Sequence, residues 1–422
     1  MPSSCPELAV STAATATRSK PWRRPASLSF VLLAAVLFAF FFAAAAPSPL
    51  FVVFQHAWGF SASMLTVAFA VYAIALLISL LVAGSLSDHI GRRPVVLAAL
   101  VLQAVAMGLF LWAHDIAGLI AARIVQGVAT GVASGALSAA VVEAAPASRK
   151  RLGALITSVS PLSGLAVGAL LTGMAVKFTG VPVALVFGVL AAVFVLGAVA
   201  VLWLPETVTP RAGALASLVP RVSIPARARQ EFARGLPVLI VVWALGGLQL
   251  SLAPSLMHHV FGIDNGVLNG LTIAVLSGFG AVAPTLLGRL GAPRSVIFGT
   301  VSIAIGLVLL LASLATQSLT LFFVGTAVAG IGFGGAFSAL IQILAPLADA
   351  HERGELFAAI FVVSYLAFSL PAMLAGFLVA PLGLLRVAEG YAGVLLLIAA
   401  FGAWRQWAAL RGAPGRSLPV SE

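Results

Sequence analysis

Twelve runs of apolar residues, each close to the roughly 20 needed for an α-helix to cross a 30 Å hydrocarbon core, follow one another with short polar breaks between them. The first six cover 28–46, 61–83, 95–113, 117–142, 152–176 and 181–204, and the second six 236–257, 268–287, 296–314, 319–344, 356–380 and 391–409. Lipid offers no hydrogen-bond partner to an exposed peptide group, so segments of this length must satisfy their own backbone as helices. With 61% apolar and only 8% charged residues, the chain is excluded from the soluble globular class. The expectation is an all-α membrane protein of twelve transmembrane helices.

The formal charge of +11 does not point to nucleic acid, because the basic residues are scattered between apolar runs and form no patch interleaved with stacking aromatics. They read as topology signals. Twenty of the 23 Lys and Arg fall in the tails, in breaks or near the carboxyl end of the last span on one side, while Lys177 and Arg386 fall on the other and Arg123 lies well within a span. By the positive-inside rule both termini are expected in the cytoplasm. Residues 1–27 read as a disordered cytoplasmic tail followed by an uncleaved first helix, since that apolar run is longer than a signal-peptide core. Cys5, the one cysteine, sits in that tail, so neither a disulfide framework nor a cysteine metal site is available, and no metal or cofactor is expected.

The break between the second and third spans reads Gly84-Ser-Leu-Ser-Asp88-His-Ile-Gly91-Arg92-Arg93-Pro94. A loop this short between two spans makes a tight hairpin; Gly84 and Gly91 permit the turn and close helix approach, Asp88 suits a helix end, and Arg92 and Arg93 hold the loop on the cytoplasmic side. The pattern closely resembles the loop signature between helices 2 and 3 of the major facilitator superfamily of secondary transporters, with His89 where the family often has Arg. The resemblance implies a bacterial cytoplasmic-membrane protein built as two pseudo-symmetric six-helix bundles, with substrate held between them near the midplane. The chain divides accordingly: 28–204 and 236–410 as the bundles, a Pro- and Arg-rich cytoplasmic linker at 205–235, and a cytoplasmic tail at 411–422. Features recur about two hundred residues apart: Gly127 and Gly131 match Gly330 and Gly334, and Leu171-Thr172-Gly173 matches Leu374-Ala375-Gly376. A worn counterpart of the signature loop, lacking its acid, runs over 288–294.

Arg123, well inside span 4, is the most costly residue of the chain, at about 2.5 to 3.5 kcal/mol on insertion scales. Gln126 shares its face, and Gly127 and Gly131 follow at spacings that let another helix approach closely. Arg123-Ile-Val-Gln126-Gly127 is similar to the superfamily's helix 4 signature, in which the arginine is associated with proton coupling; a structural arginine bonded to neighbouring carbonyls is the plainer alternative. Span 5 carries Gly164, Gly168 and Gly173 in a degraded form of the family's antiporter signature, with Ala169 in place of the proline, a spacing equally at home in any packed membrane helix. By the same resemblance Glu143, at the end of span 4, pairs with an arginine of the signature loop, so that Glu143, Asp88 and Arg92 form a latch between the halves. Leu204-Pro205-Glu206-Thr207 reads as a helix stop.

The twelve acids all fall in tails, loops or helix ends, which argues against a cation-selective exporter and leaves His56, His258 and His259, near the outer ends of spans 1 and 7, as candidate titrating groups. No nucleophile and base pair or phosphate loop is present, so an enzyme or an ATP-driven pump is not indicated. Tyr72, Trp243, Gln249, Gln342 and Tyr365 are candidates to line a mostly apolar cleft. The expected function is proton-coupled efflux of small amphipathic organic compounds by alternating access, by a monomer whose partners are its small-molecule substrate, protons and the bilayer. A proton-coupled importer of a small metabolite or anion is the alternative, and a non-transporting membrane sensor a distant one.

Overall fold

The computed structural model describes residues 26–411 except 147, 149 and 350. Cys5, the rest of the amino tail through residue 25, Arg149, and the carboxyl tail from residue 412 lie outside the described residues. The described chain is helical, with no strand, and twelve of its helical segments are long and apolar enough to cross a membrane. The helices are α1 (Ala26–Ala45), α2 (Pro47–Trp58), α3 (Ala62–Ala83), α4 (Ser87–Ile90), α5 (Arg92–Trp112), α6 (Ile116–Ala144), α7 (Lys150–Phe178), α8 (Pro182–Val201), α9 (Arg229–Ser251), α10 (Ala253–His259), α11 (Gly266–Leu287), α12 (Ala292–Thr316), α13 (Leu319–Leu344), α14 (Arg353–Leu382) and α15 (Leu384–Arg411).

The first span is longer than its hydropathy suggests. Span 1, expected over 28–46, is followed by Pro47 and Pro49, yet Ala46 keeps helical dihedrals and the prolines occupy the first turn of α2, where a missing N–H costs little. The helix therefore continues to Trp58 and closes on Gly59 in the left-handed region, φ +65°. Ser48, beyond the expected end of span 1, is buried. In the same way span 7 begins at Arg229 and runs on through α10 to His259. Four helices that start at one end of the bundle carry side-chain caps: Ser61, Asp115, Asn265 and Ser318 accept from backbone N–H groups two or three residues on, at 2.8 to 3.4 Å.

Packing follows small residues. A Cβ on Gly127 would overlap the Tyr72 carbonyl oxygen and one on Gly131 that of Leu76, so α6 lies directly on α3. Gly330 and Gly334 meet the carbonyls of Leu276 and Gly280 likewise, laying α13 on α11 with the same pairing two hundred residues later. Two apolar cores result. One gathers residues up to Val201 around Phe40, Phe110, Phe187 and Phe194, with Phe110 and Phe187 stacked at 4.3 Å, and takes in Leu250, Ile273, Phe368 and Ala372 from the second half. The other is built only from residues beyond 227. Large apolar side chains such as Val31, Leu196, Phe298 and Leu397 stay exposed on the outside of the bundle, where lipid would cover them.

The segment between α8 and α9 is irregular and lies on the Asp88 loop: Arg211 N–H donates to the His89 carbonyl at 2.8 Å, and Ser85 Oγ to that of Ser217 at 3.0 Å. The closest approaches between the two halves lie toward the opposite end. A Cβ on Gly173 would overlap the Gly266 carbonyl, one on Gly270 that of Ala169, and one on Gly376 the Thr66 hydroxyl. Nearer the Asp88 end, Leu162 still reaches Gly280.

Candidate functional site

Arg123 is the largest fully buried side chain, 1% exposed. Its Nε donates to the Ala68 carbonyl at 3.3 Å and its Nη1 to Gln126 Oε1 at 2.6 Å, while the guanidinium lies over the Tyr72 ring, 4.0 Å from the centroid. Gln126 is fixed in turn, its Nε2 donating to the Ala43 carbonyl at 2.7 Å. Helices α1, α3 and α6 thus converge on one cation. Among the described residues no carboxylate pairs with it. A buried charge held only by dipoles and a ring face retains unspent attraction for an anion or for a polarised carbonyl.

Beyond Tyr72 the path is aromatic. Tyr72 and Tyr365 share one small buried cluster, and Trp243 lies 5.0 Å from Tyr365, 5.6 Å from Phe337 and 6.0 Å from Phe368, measured between ring centroids. Phe368 meets Phe69 of the first half at 4.8 Å. Trp243 Nε1 is buried without a hydrogen-bond partner. The tryptophan therefore presents a free donor within a ring-lined region between the halves. Two of the five candidate lining residues stand apart from this cluster: Gln249 donates to Thr326 Oγ1 at 3.2 Å inside the second half, and Gln342 is exposed near the end of α13.

At the Asp88 loop, Arg92 joins two acids. Its Nη1 lies 2.6 Å from Asp88 Oδ1 and donates to Ser87 Oγ at 2.6 Å; its Nη2 is 3.3 Å from Glu143 Oε1. All four residues belong to the first half, and among the described residues no ion pair crosses to the second six spans at this end. Gly91 stands at φ +107°, and a Cβ there would run into the Glu206 carboxylate. Glu206 does more than mark a helix stop: its two oxygens accept from the backbone N–H groups of Arg92 and Arg93 at 2.9 and 3.0 Å, capping α5 from 114 residues away. Thr207 Oγ1 donates to Glu143 Oε2 at 2.8 Å, and Arg93 reaches the Leu202 carbonyl, tying the end of α8 into the same network. Gly84 keeps helical dihedrals, and its carbonyl faces Gly135 of α6, so its part is close approach.

The glycines of α7 serve two neighbours. Gly164 and Gly168 pack on the backbone of α1 at Phe38 and Phe42, while Gly173, with Ala169, faces α11 of the other half. Phe337 and Phe368, which pack on Trp243, and Glu206 were not legible as site residues because their roles depend on contacts between distant spans.

Twelve membrane-length helices in two glycine-packed sets, with a buried polar centre in the first and aromatic rings meeting between them, make a multi-pass membrane protein. The model of the Major Facilitator Superfamily matches residues 31–294, and the chain belongs to that family. It is 27% identical over 304 residues to the Multidrug resistance protein MdtL of Klebsiella pneumoniae (strain 342), covering 68% of this chain and 73% of that one. Among solved structures, it matches the peptide transporter POT in complex with sulfate at a TM-score of 0.73 and 15% identity, over 90% of this chain and 94% of that one. The nucleoside transporter NupG matches at 0.66 and 13%, over 92% and 99% respectively. The human organic anion transporter MFSD10 (TETRAN) matches at 0.63 and 17%, over 90% and 100%. At these identities the structures speak for the fold alone.

Proposed function

We propose that the protein exports small, amphipathic organic compounds, neutral or weakly anionic, in exchange for protons, by alternating access between two six-helix bundles. The observation that carries this reading is the continuous path from Arg123 through Tyr72 and Tyr365 to Trp243: a buried cation without a counter-charge at one end, and an unpartnered indole donor among rings at the other. Such a surface rewards an aromatic body with one acceptor group, and disfavours a cation beside Arg123. The name of the MdtL relative supports drug-type cargo and the export direction. The charge asymmetry of the breaks supports placing the Asp88 end in the cytoplasm, and the MdtL relative supports a bacterial membrane; Asp88, Arg92 and Glu143, already paired within the first half, then form a charged seat against which the second half latches when the other end opens. In that orientation the observed state is closed on the outside. Arg123 and Gln126 couple the proton, because only a group this deeply desolvated senses whether substrate or water occupies the cleft. Import of a small anion is the second reading, favoured by the missing counter-charge at Arg123.

The test is a ligand screen. Purified protein should be thermally stabilised by neutral or anionic aromatic compounds and not by matched quaternary ammonium compounds, and replacing Trp243 with Phe should weaken stabilisation by compounds that carry an acceptor. Stabilisation by cations alone would refute the assigned chemistry.

A further inference from the structure

At the end opposite the Asp88 loop, three imidazoles meet across the boundary between the halves. His56, on α2, faces His258, on α10, with ring centroids 5.2 Å apart, and His258 faces His259 at 4.7 Å. They line a cavity of about 260 Å³ with Gln55 and Ser255. Gln55 Nε2 is committed to the Phe60 carbonyl at 3.2 Å and bridges no histidine. Helices α1, α9 and α11, packed against this pair, bring no titratable side chain to this end, and the charged groups of the remaining neighbours, Lys177 on α7 and Arg386 and Glu389 on α15, do not line the cavity; nor do Asp264 before α11 or His114 and Asp115 between α5 and α6. The cluster holds three bases and no acid.

We propose that this cluster is a proton-operated release for the closed end: protonation of His56 together with His258 or His259 places like charges on opposite halves and favours their separation there. The inference rests on the alternating-access reading above, because it requires two states of that end. The direction of the effect follows from linkage. The closed form holds His56 and His258 with ring centroids 5.2 Å apart, where two positive charges repel. Closure therefore disfavours the charged form, is fully supported at neutral pH, and loses that support as pH falls below about 6.5. Only pairs that span the boundary change on opening. Two unit charges about 5 Å apart in water, the separation at which His56 faces His258, shift a two-state population roughly fourfold, and a charge on His259, on the same helix as His258, adds to it, so the acid-induced shift should be at least that large.

Spin labels on cysteines replacing Gly180, at the end of α7, and Ala315, at the end of α12, both exposed and at the histidine end, report the separation of the halves in a Cys5→Ser background. In nanodiscs without substrate, the ratio of long to short inter-label distances should rise at least about fourfold between pH 8 and pH 5, and His56→Gln should abolish that rise by removing every pair across the boundary. A companion His258→Gln/His259→Gln protein should behave as His56→Gln does. An unchanged ratio in the parent, or a rise that survives in either variant, overturns the proposal. Two distance populations that ignore pH would reject the histidine release while leaving alternating access intact, so the two readings fail separately.

Discussion

Replacing Arg123 by methionine separates a coupling role from a bracing one. The substitution removes two hydrogen bonds from a charged donor, to Ala68 at 3.3 Å and to Gln126 at 2.6 Å, each worth about 1.5 to 3 kcal/mol. It also removes a cation from a ring face at 4.0 Å, worth about 1 kcal/mol. Against these losses stands the relief of keeping a charge out of the membrane interior, about 2.5 to 3.5 kcal/mol. Methionine fills much of the volume, so the cavity contribution is small. The net expectation is a destabilisation of about 0.5 to 4.5 kcal/mol, enough to lower yield. Transport should respond far more steeply: accumulation driven by an imposed pH gradient should fall to background, while downhill exchange without a gradient persists. Arg123→Lys should give the same split with less destabilisation, since an ammonium keeps the charge but lacks the fixed fork that serves Ala68 and Gln126 together. Denaturation of the purified variants in detergent gives the stability arm, and proteoliposomes give the transport arm. A well-folded Arg123→Met protein with full gradient-driven accumulation would refute the reasoning, as would equal loss of both transport modes in proportion to lost stability.

Asp88→Asn should leave insertion and substrate-induced stabilisation intact and change stability by less than about 1 kcal/mol, because Asp88 is exposed and Arg92 keeps Glu143; turnover in proteoliposomes should drop, and wild-type turnover would remove the latch. Glu206→Ala should cost about 1 kcal/mol by uncapping α5, read as faster hydrogen exchange at the amides of Arg92 and Arg93; unchanged exchange would contradict the cap. Gly173→Val should prop the closed end apart, because the Gly266 carbonyl leaves no room for a side chain, and the spin-label pair should then report the long distance at neutral pH. A cysteine at Ala57, exposed at the end of α2, should react with an impermeant thiol reagent in intact cells, and one at Ser217 should not; the reverse pattern would invert the orientation.

Most of the fold was legible because lipid imposes one rule, backbone self-satisfaction, that hydropathy reports directly. Span 10 falls on 319–344 in the sequence and in the structure alike. The extension of span 1 was missed for a physical reason: proline stops a helix interior but not a first turn, and sequence alone does not say which turn Pro47 occupies; span 7, expected over 236–257, extends at its start to Arg229 through polar residues that hydropathy does not count as membrane. The polar centre was half legible. Arg123 and Gln126 stand out by cost and spacing, whereas their acceptors are main-chain carbonyls of Ala43 and Ala68, which have no sequence signature. Gln342 was chosen for its polarity within an apolar run, yet it lies near a helix end, exposed, where polarity needs no site to explain it. Glu206 shows the converse, a residue whose work lies 114 positions away and becomes visible only when α8 is set beside α5.

The measurement that bears most directly on the central claim is proton movement coupled to substrate. Proteoliposomes containing the protein and an internal pH-sensitive dye are to be loaded with the neutral aromatic compound that most stabilises the purified protein, then diluted into compound-free buffer at the same pH. Coupled exchange predicts that outward flow of the compound draws protons inward, acidifying the lumen, and that Arg123→Met lets the compound leave without acidification. Efflux of the compound by the wild-type protein with no change in luminal pH, or with alkalinisation, would contradict proton-coupled export.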